Sequence, residues 1–316
     1  MAQARIKAPY YESRFIRANN PDRPQALWLR ETMLLSTAGA DSADVWLMVF
    51  DPDGAGNRAL KAPHPVEDAE FRTDEWIVRI GEATLDDTAA RGSLSGAHAA
   101  SWDLRINGAG EAVKLLPDRQ YSTRFPSAKT MVRSPLARFD GRVQTDGVAL
   151  DINGWTGSVN HNWGRRHTPA YAFGQVCGFD EAPSSSLEIV TARAGVGPLV
   201  LPPTTLMVLR HGGGEYAART VLAARRTNGA YHDFEWSFSA RFDDVAVEGQ
   251  IKAEAADVIG LNYSDTNGKT KYCYNSALAD CRVRLSGKEA AELTATRRAM
   301  FEVLTDSRRA DVALLA

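Results

Sequence analysis

The sequence is poor in cysteine, in long apolar runs and in excess charge of either sign. It has three cysteines in 316 residues, Cys177, Cys273 and Cys281, which are too few for a disulfide-built secreted scaffold. No stretch approaches the roughly 18 consecutive apolar residues of a membrane-spanning helix, and the first residues lack the apolar core of a secretory signal. We therefore expect a cytoplasmic location, no membrane span and free thiols, although a Cys273–Cys281 pair stays open in an oxidising compartment.

Charge and motif content exclude several further classes of function. The 37 basic and 39 acidic residues give a net charge of −2 and are interspersed, so we expect no nucleic-acid partner. There is no Gly-x-Ser-x-Gly elbow, phosphate loop or dinucleotide fingerprint. His161 and His167 are six residues apart without an obvious third ligand nearby, whereas metal sites usually need three or four. The sequence thus predicts neither a cofactor nor a metal.

The dominant pattern that is present has a period of two residues. Phe234, Trp236, Phe238 and Phe242 alternate with polar residues, and the segments 245–253, 102–106 and 76–80 repeat this alternation. Successive side chains of a strand point to opposite faces, so each segment predicts a strand with one buried face. The continuously apolar run 45–50 instead predicts a strand that is buried on both faces.

Turn signals separate these segments and define the fold class. We predict hairpin turns at Asn107-Gly108, Asp146-Gly147, Asn228-Gly229 and Asn267-Gly268, because Asn, Asp and Gly accept the positive φ of tight turns. Many antiparallel strands with short turns predict an all-β protein built from barrels or sandwiches. A Pro and three Ser within 181–186 predict a boundary between domains 1–182 and 183–316. The segment 289–304 is compatible with a helix or with a closing strand.

The segment 154–167 has the most unusual composition, with two Trp, two Asn, two His, two Arg and three Gly. One explanation makes Asn160, His161, Asn162 and Trp163, together with Trp155, the wall of a ligand pocket, with His161 exchanging a proton. The other explanation is structural: the tryptophans anchor a core and the polar groups tie down a long corner. The composition alone leaves both open.

Two other segments contain candidate site residues. In the strand 28–35, Trp28 and Arg30 share one face and Glu31 lies on the other, so one of the two charges should face an apolar interior. A carboxyl there would keep its proton and could act as an acid, or the charge could belong to a structural ion pair. In the hairpin 263–275, Tyr272 and Tyr274 share a face, either as ligand contacts or in cross-strand packing.

The sequence resembles the broad group that contains hydroxyneurosporene synthase (carotenoid hydratase) and tocopherol cyclase. The matching segments extend from Trp28 to about Asn275, and the most specific one reads Gly154-Trp-x-Gly-Ser-Val-Asn-His-Asn-Trp-Gly164. A strand rich in Tyr and Phe follows at 171–175, and Tyr171 joins the candidate substrate-binding residues. Only Trp155, His161, Asn162, Trp163 and Gly164 match the motif residue by residue.

This resemblance implies two tandem lipocalin-like β-domains with a ligand cavity. It also implies a cofactor-independent hydratase, cyclase or isomerase that acts on an apolar isoprenoid- or polyketide-like molecule by acid catalysis. His161 and Glu31 are the candidate catalytic residues, and Asp151 is a further possible proton donor. Two alternatives stay open: a lipocalin-type carrier that binds an apolar ligand without chemistry, and a structural protein with filled barrels.

Overall fold

The computed structural model describes residues 6–95, 98–196 and 199–316. Nearly all regular structure in these residues is β-strand. One α-helical turn, α1 (Asp118–Tyr121), and three 3₁₀ turns (Val66–Asp68, Ala223–Arg226 and Ala255–Asp257) are the helical segments of this part of the chain. None of them is long enough to cross a bilayer.

The first sheet contains twelve antiparallel strands. They are β1 (Tyr10–Asn19), β2 (Ala26–Leu35), β3 (Ser42–Phe50), β4 (Arg58–His64), β5 (Ala69–Phe71), β6 (Val78–Ile80), β7 (Ala83–Leu85), β8 (Ala89–Leu94), β9 (Ala100–Asn107), β10 (Val113–Lys114), β11 (Ala128–Thr145) and β12 (Val148–Gly164). Their order is β4-β3-β2-β1-β12-β11-β9-β8-β7-β6-β5, and β10 pairs with β11. This sheet curls into a nearly closed barrel.

The second sheet contains ten strands. They are β13 (Ala170–Cys177), β14 (Ser186–Arg193), β17 (Thr204–His211), β18 (Gly214–Ala218), β19 (Thr227–His232), β20 (Glu235–Phe242), β21 (Val245–Lys252), β22 (Ile259–Ser264), β23 (Thr270–Gly287) and β24 (Ala291–Thr305). Two short strands, β15 (Gly195–Val196) and β16 (Leu199–Val200), pair with each other. The order is β18-β17-β14-β13-β24-β23-β21-β20-β19, with β22 beside β23.

The predicted fold class is confirmed: the molecule consists of two tandem lipocalin-like barrels. The chain passes from the first sheet to the second within 165–169, because β12 ends at Gly164 and β13 already pairs with β14 and β24. The segment 181–186 therefore connects β13 to β14 within the second sheet. A division into folding units at residue 182 stays a prediction.

Each barrel interior is packed with its own apolar cluster. The first includes Leu29, Leu47, Phe139 and Trp155, and the second includes Trp236 and Phe301 among many others. A third apolar cluster lies between the barrels and joins Phe15, Trp28 and Trp46 of the first to Tyr263 and Leu304 of the second. We call the contact between the two barrels the seam.

The seam explains why β1, β2 and β3 are buried on both faces. Alternate residues of β3 enter the first barrel, as Val45 and Leu47 do, while Trp46 and Met48 enter the seam. The apolar run 45–50 was predicted to be buried on both faces, and its burial confirms this. Strands with two buried faces read as continuous apolar runs for this reason.

Two local predictions were wrong, one that was left open is now resolved, and one turn is confirmed. Asn228-Gly229 lies inside β19 and not in a turn; a Cβ on Gly229 would approach Thr191 Oγ1 to 2.2 Å, so glycine is needed for close packing. Trp76 lies outside β6 with φ of 47°, which is rare for a bulky residue. The segment 289–304 is strand, as β24. The Asp146-Gly147 turn is confirmed, with positive φ at both residues.

Candidate functional site

The structure distributes the predicted site residues over three compartments. Because neighbouring residues of a strand point to opposite faces, Arg30 faces the seam while Glu31 faces the first barrel, and Asn160 and His161 separate in the same way. The seam receives Trp28, Arg30, Asn160, Asn162 and Tyr171. The first barrel receives Glu31, Trp155, His161 and Trp163, and the second receives Tyr272 and Tyr274.

A narrow cleft opens at one end of the seam. Its walls include the aromatic residues Tyr11, Trp46 and Tyr263 and the polar residues Arg30 and His167. Lys61 covers its edge, with Nζ 4.4 Å from the Trp46 ring centroid and 3.4 Å from Asp44 Oδ1. The cleft volume is about 40 Å³, little more than the roughly 30 Å³ that one water molecule takes up in the liquid.

Arg30 is the buried cation of this cleft. Its guanidinium lies 4.5 Å from the ring centroid of Tyr263 and 5.8 Å from that of Trp28. Its Nε donates a hydrogen bond to Ser13 Oγ at 2.7 Å. Burial opposes the charge, but the surrounding tyrosine, cysteine and glutamate groups outweigh it and raise the pKa of Arg30. The Arg30 side chain is thus a fixed positive charge on an aromatic surface.

His167 and Tyr263 bring polar atoms without strong partners to the same cleft. His167 packs edge-on against Tyr11 with ring centroids 4.0 Å apart, and its Nε2 is buried without a hydrogen bond. Burial lowers the pKa of His167 to about 4, so its imidazole is neutral at pH 7. The buried Tyr263 hydroxyl lies beside the Cys273 thiol, a weak partner. Buried polar atoms are nearly always hydrogen-bonded in native proteins. The atoms His167 Nε2 and Tyr263 Oη depart from this rule in the cleft.

A buried carboxyl supports the cleft from the second barrel. Tyr171 donates a hydrogen bond to Glu302 Oε1, and the Cys273 thiol lies between Glu302 and Tyr263. Burial raises the pKa of Glu302, while the Tyr171 hydrogen bond and the charge of Arg30 oppose that rise. Tyr171, Glu302, Cys273 and Tyr263 therefore form a chain of exchangeable protons next to Arg30.

Asn160 belongs to a polar network deeper in the seam. Gln175 Nε2 donates to Asn160 Oδ1 at 3.0 Å and to Glu188 Oε2 at 2.9 Å, while Ser158 Oγ donates to Gln175 Oε1 at 2.8 Å. Burial raises the pKa of Glu188 to about 8. These bonds give Asn160 a structural role in joining the two barrels. Asn162 also faces the seam, and its Oδ1 is buried without a partner.

His161 lies in the first barrel, where it contacts the buried pair of Glu12 and Arg14, which was not predicted from the sequence. Its Nε2 is 2.9 Å from Glu12 Oε1, and its ring stacks on Trp163 at a centroid distance of 4.3 Å. Arg14 Nε and Tyr10 Oη also donate to Glu12. Burial alone would raise the pKa of Glu12, but these three partners lower it. Burial lowers the pKa of His161, which favours the neutral ring.

Glu31 is an isolated carboxyl in the first barrel. It is fully buried and lies opposite Arg14 on the adjacent strand, yet neither of its carboxylate oxygens has a hydrogen-bond partner among the described residues. Burial raises its pKa to about 8, so at pH 7 it keeps its proton. The expectation that a charge-bearing residue of this strand faces inward is therefore met by Glu31, in neutral form.

The raised pKa of Glu31 predicts that stability falls as pH rises. The folded state holds a proton that the unfolded state releases above its ordinary pKa of 4.5, so the free energy of unfolding decreases between that pH and about 8. At pH 7 the loss is about 3 kcal/mol relative to pH 4.5. Denaturant midpoints of Glu31→Gln, measured from pH 5 to 8, should show a flatter dependence than wild type. An exposed control, Glu248→Gln, should keep the wild-type slope; an unchanged slope in Glu31→Gln would refute the assignment.

The remaining candidates have packing roles. Trp155 is a core residue of the first barrel, and Tyr272 and Tyr274 pack against the second core, with the Tyr274 hydroxyl accepting a hydrogen bond from the Arg309 backbone. Asp151, considered as a proton donor, is 73% exposed and 3.7 Å from Arg142. Asp151 therefore faces solvent and lies in no apolar pocket, so the structure does not support it as a proton donor to a bound substrate.

Sequence reasoning missed the seam residues Tyr11, Ser13, His167 and Glu302, and the Glu12–Arg14 pair. The charges Glu12 and Arg14, two residues apart in one strand, were a usable signal, since buried charges occur in pairs. His167 ends the unusual segment 154–167 but was considered only as a metal ligand, and Glu302 had no signal because its neighbourhood is formed by distant strands. Among the described residues no three His, Cys, Asp or Glu side chains are arranged to hold a metal ion, and Cys177, Cys273 and Cys281 are buried free thiols.

Comparisons with known proteins fit this architecture. Three solved structures superpose on 95% of the chain: a protein assigned as AttH from Nitrosomonas europaea (TM-score 0.60, 10% identity, 92% of that chain), CghA (0.59, 11%, 90%) and kievitone hydratase from Nectria haematococca (0.59, 9%, 89%). The chain has the tandem-barrel fold of these proteins. At such identities the likeness shows the fold alone.

Comparison at the level of sequence gives no family for the chain. No family model matches the chain. An uncharacterized protein of Mycobacterium tuberculosis, found in strains CDC 1551 / Oshkosh and ATCC 25618 / H37Rv, is 24% identical over 273 residues, which cover 85% of this chain and 79% of the relative. None of these comparisons confirms membership of the hydroxyneurosporene synthase and tocopherol cyclase group, which stays a prediction.

Proposed function

We propose that this tandem-barrel protein is an enzyme that adds or removes water, or closes a ring, on a largely apolar small molecule held in the seam cleft. The observation that supports this most is the convergence of Arg30, the unpaired His167 Nε2 and the Tyr263 hydroxyl in one aromatic cleft. Kievitone hydratase, which shares the fold, is by its name a hydratase. A lining that is mainly aromatic and apolar, with a few polar groups pointing inward, is typical of small-molecule sites.

The side chains suit proton transfer next to an oxygen-bearing group. Arg30 would hold a carbonyl or phenolic oxygen of the substrate and stabilise negative charge that develops on it. Neutral His167 would take a proton from water or from the substrate carbon, since its Nε2 is unpaired and its ring is unprotonated at pH 7. Tyr263 would return a proton, resupplied through Cys273 and Glu302. All these groups belong to the chain, so the proposed reaction requires no cofactor.

The small cleft constrains how substrate enters. A volume of about 40 Å³ is far below the roughly 300 Å³ or more of ordinary ligand pockets, so the cleft has to widen on binding. The Lys61 side chain is 30% exposed and covers the edge, so we propose that it moves away from Asp44 as substrate enters. The Asp44 side chain is only 10% exposed, so water or a polar group of the substrate has to replace Lys61 beside its carboxylate when the cleft opens.

The earlier assignment of His161 and Glu31 as catalytic residues stays an untested alternative. Both face the first barrel, on strands that flank β1, so their Cα atoms are roughly 10 Å apart by strand spacing. The interior around Glu31 is packed with apolar side chains. In our proposal they contribute to the packing of the first barrel and do not contact the substrate.

The lipocalin-type carrier is the second candidate function, and filled barrels were the expectation for a purely structural protein. A carrier of this type encloses its ligand inside a barrel, whereas both barrels here are packed with side chains. Packed barrels are also what a structural protein would have, so the barrels alone do not separate it from the enzyme. The convergence of Arg30, His167 and Tyr263 in one cleft of the seam favours the enzyme.

Native mass spectrometry with organic extraction of protein from its own host tests the proposal. We expect wild type to hold a small apolar molecule and Arg30→Met to lose it. Incubation of the extracted molecules with wild type should convert one to a product that differs by one water or is an isomer. Recovery of an unchanged ligand that wild type never converts would support the carrier. Equal ligand content in wild type and Arg30→Met would show that the ligand does not bind in the seam cleft.

A further inference from the structure

Five large aliphatic side chains are exposed at one end of the second barrel. They belong to two loops, one between β14 and β17 and one between β18 and β19. Their exposed fractions are 66% for Leu199, 56% for Val200, 39% for Leu201, 73% for Val221 and 71% for Leu222. Such a cluster is unusual for a soluble surface, where exposed apolar residues are mostly scattered.

The two loops leave the barrel side by side. Thr227, which follows the second loop, donates from Oγ1 to the backbone oxygen of Thr205, just after the first loop, at 2.7 Å. The backbone nitrogen of Leu201 donates to Ala194 at 2.8 Å and closes the first loop on itself. Both loops thus leave the same end of β17, and we call their five exposed aliphatic side chains together the aliphatic tip.

The charge around the aliphatic tip is positive, although the chain as a whole has a net charge of −2. Arg193, Arg225 and Arg226 are exposed beside it. The segments 189–214 and 216–232 contain no Asp or Glu, and Glu215 between them is already paired with Arg210 and Arg219. The one acidic contact to these exposed arginines is Asp243, at 3.8 Å from Arg226 among the described residues.

We propose that the aliphatic tip docks the protein onto the surface of an anionic lipid bilayer. Aliphatic side chains would enter the boundary between headgroups and acyl chains, and the arginines would contact anionic headgroups. Protruding tips on two loops fit a soft bilayer better than a protein partner, which needs a flat complementary patch. Docking does not depend on the proposed enzymatic function, but it would bring the protein to a phase where apolar molecules accumulate.

Co-sedimentation of the full chain with lipid vesicles tests this surface. The probes are phosphatidylcholine vesicles with and without about one third phosphatidylglycerol, at low and at physiological salt. We expect wild type to bind the anionic vesicles, more weakly at higher salt, and to bind pure phosphatidylcholine poorly. Leu199→Ser with Leu222→Ser should lower the affinity about tenfold or more, and Arg225→Gln with Arg226→Gln about twentyfold.

Matched controls separate this effect from general loss of apolar or basic groups. Leu315, which is 41% exposed, lies away from the tip, so Leu315→Ser should bind as wild type does. Exposed Arg282→Gln with Arg284→Gln serves the same purpose for charge. Absence of wild-type binding to anionic vesicles at low salt, or unchanged binding of the double serine variant, would overturn the proposal. A third result would also overturn it: light scattering shows that wild type is a dimer and the double serine variant a monomer, and neither binds vesicles. The aliphatic tip would then be a contact between two copies of the chain.

Discussion

Replacing His167 by glutamine is expected to lower kcat by about 100-fold or more, which is the usual size of a general acid–base contribution. Glutamine keeps a polar side chain in the cleft but cannot exchange a proton. KM should change by only a few-fold, because Arg30 and the aromatic walls still hold the substrate. Turnover of the molecule recovered from the protein, followed by chromatography and mass spectrometry, gives both constants.

Two other histidines make the test specific. His211 belongs to the second barrel, where Ser185 Oγ lies 2.9 Å from its Nδ1, so His211→Gln should leave kcat unchanged. His161→Gln tests the sequence-based assignment directly. A loss of kcat in His161→Gln with full activity in His167→Gln would place the chemistry in the first barrel and contradict the seam.

The low pKa of His167 adds a pH signature. A base with a pKa of about 4 is already deprotonated throughout the neutral range, so kcat/KM of wild type should be flat between about pH 6 and 8. A base with an ordinary histidine pKa would instead give a rising limb near pH 6.5. A rising limb at any pH in this range that disappears in His161→Gln would again favour the first barrel.

Replacing Glu12 by glutamine is expected to destabilise the protein by about 3–5 kcal/mol, the usual cost of breaking a buried ion pair. Arg14 Nη2 lies 2.8 Å from Glu12 Oε1, and the side chains are 0% and 3% exposed. Among the described residues, the Arg14 charge then keeps a backbone bond to Ile77 and the faces of Phe71 and Trp76, with a neutral amide in place of the carboxylate. Denaturant unfolding followed by tryptophan fluorescence measures the loss.

An exposed pair is the matched control for Glu12. Glu70 and Arg79 are 2.6 Å apart and both 46% exposed, so Glu70→Gln should change stability by less than about 1 kcal/mol. Adding Arg14→Met to Glu12→Gln should recover much of the loss, because an apolar side chain needs no partner. A Glu12→Gln variant as stable as wild type would show that the pair does not hold the first barrel together.

The fold class could be read from local patterns because strand periodicity is a local property. The alternation in β20, β21 and β9 and the Asp146-Gly147 turn were all visible in the sequence. The turn predicted at Asn228-Gly229 was wrong, because Gly229 lies within β19, where close contact with Thr191 and Trp236 on other strands requires glycine. The positive φ of Trp76 was equally invisible; its ring packs against Arg14 and Arg133 from elsewhere in the first barrel.

The candidate site shows the same difference between what local sequence patterns determine and what contacts between distant strands determine. Period two already separated Arg30 from Glu31 in the sequence. The same alternation separates Asn160 from His161 in β12, although both were predicted to line one pocket wall. The sequence could not say what covers each face. Only the tertiary structure decided that, because the seam is made when the outer face of β1–β3 packs against β13 and β22–β24. That contact gives His167, Tyr263 and Glu302 their surroundings. Strand pairing within the second barrel likewise brings the two loops of the aliphatic tip, about twenty residues apart in sequence, to the same end of β17.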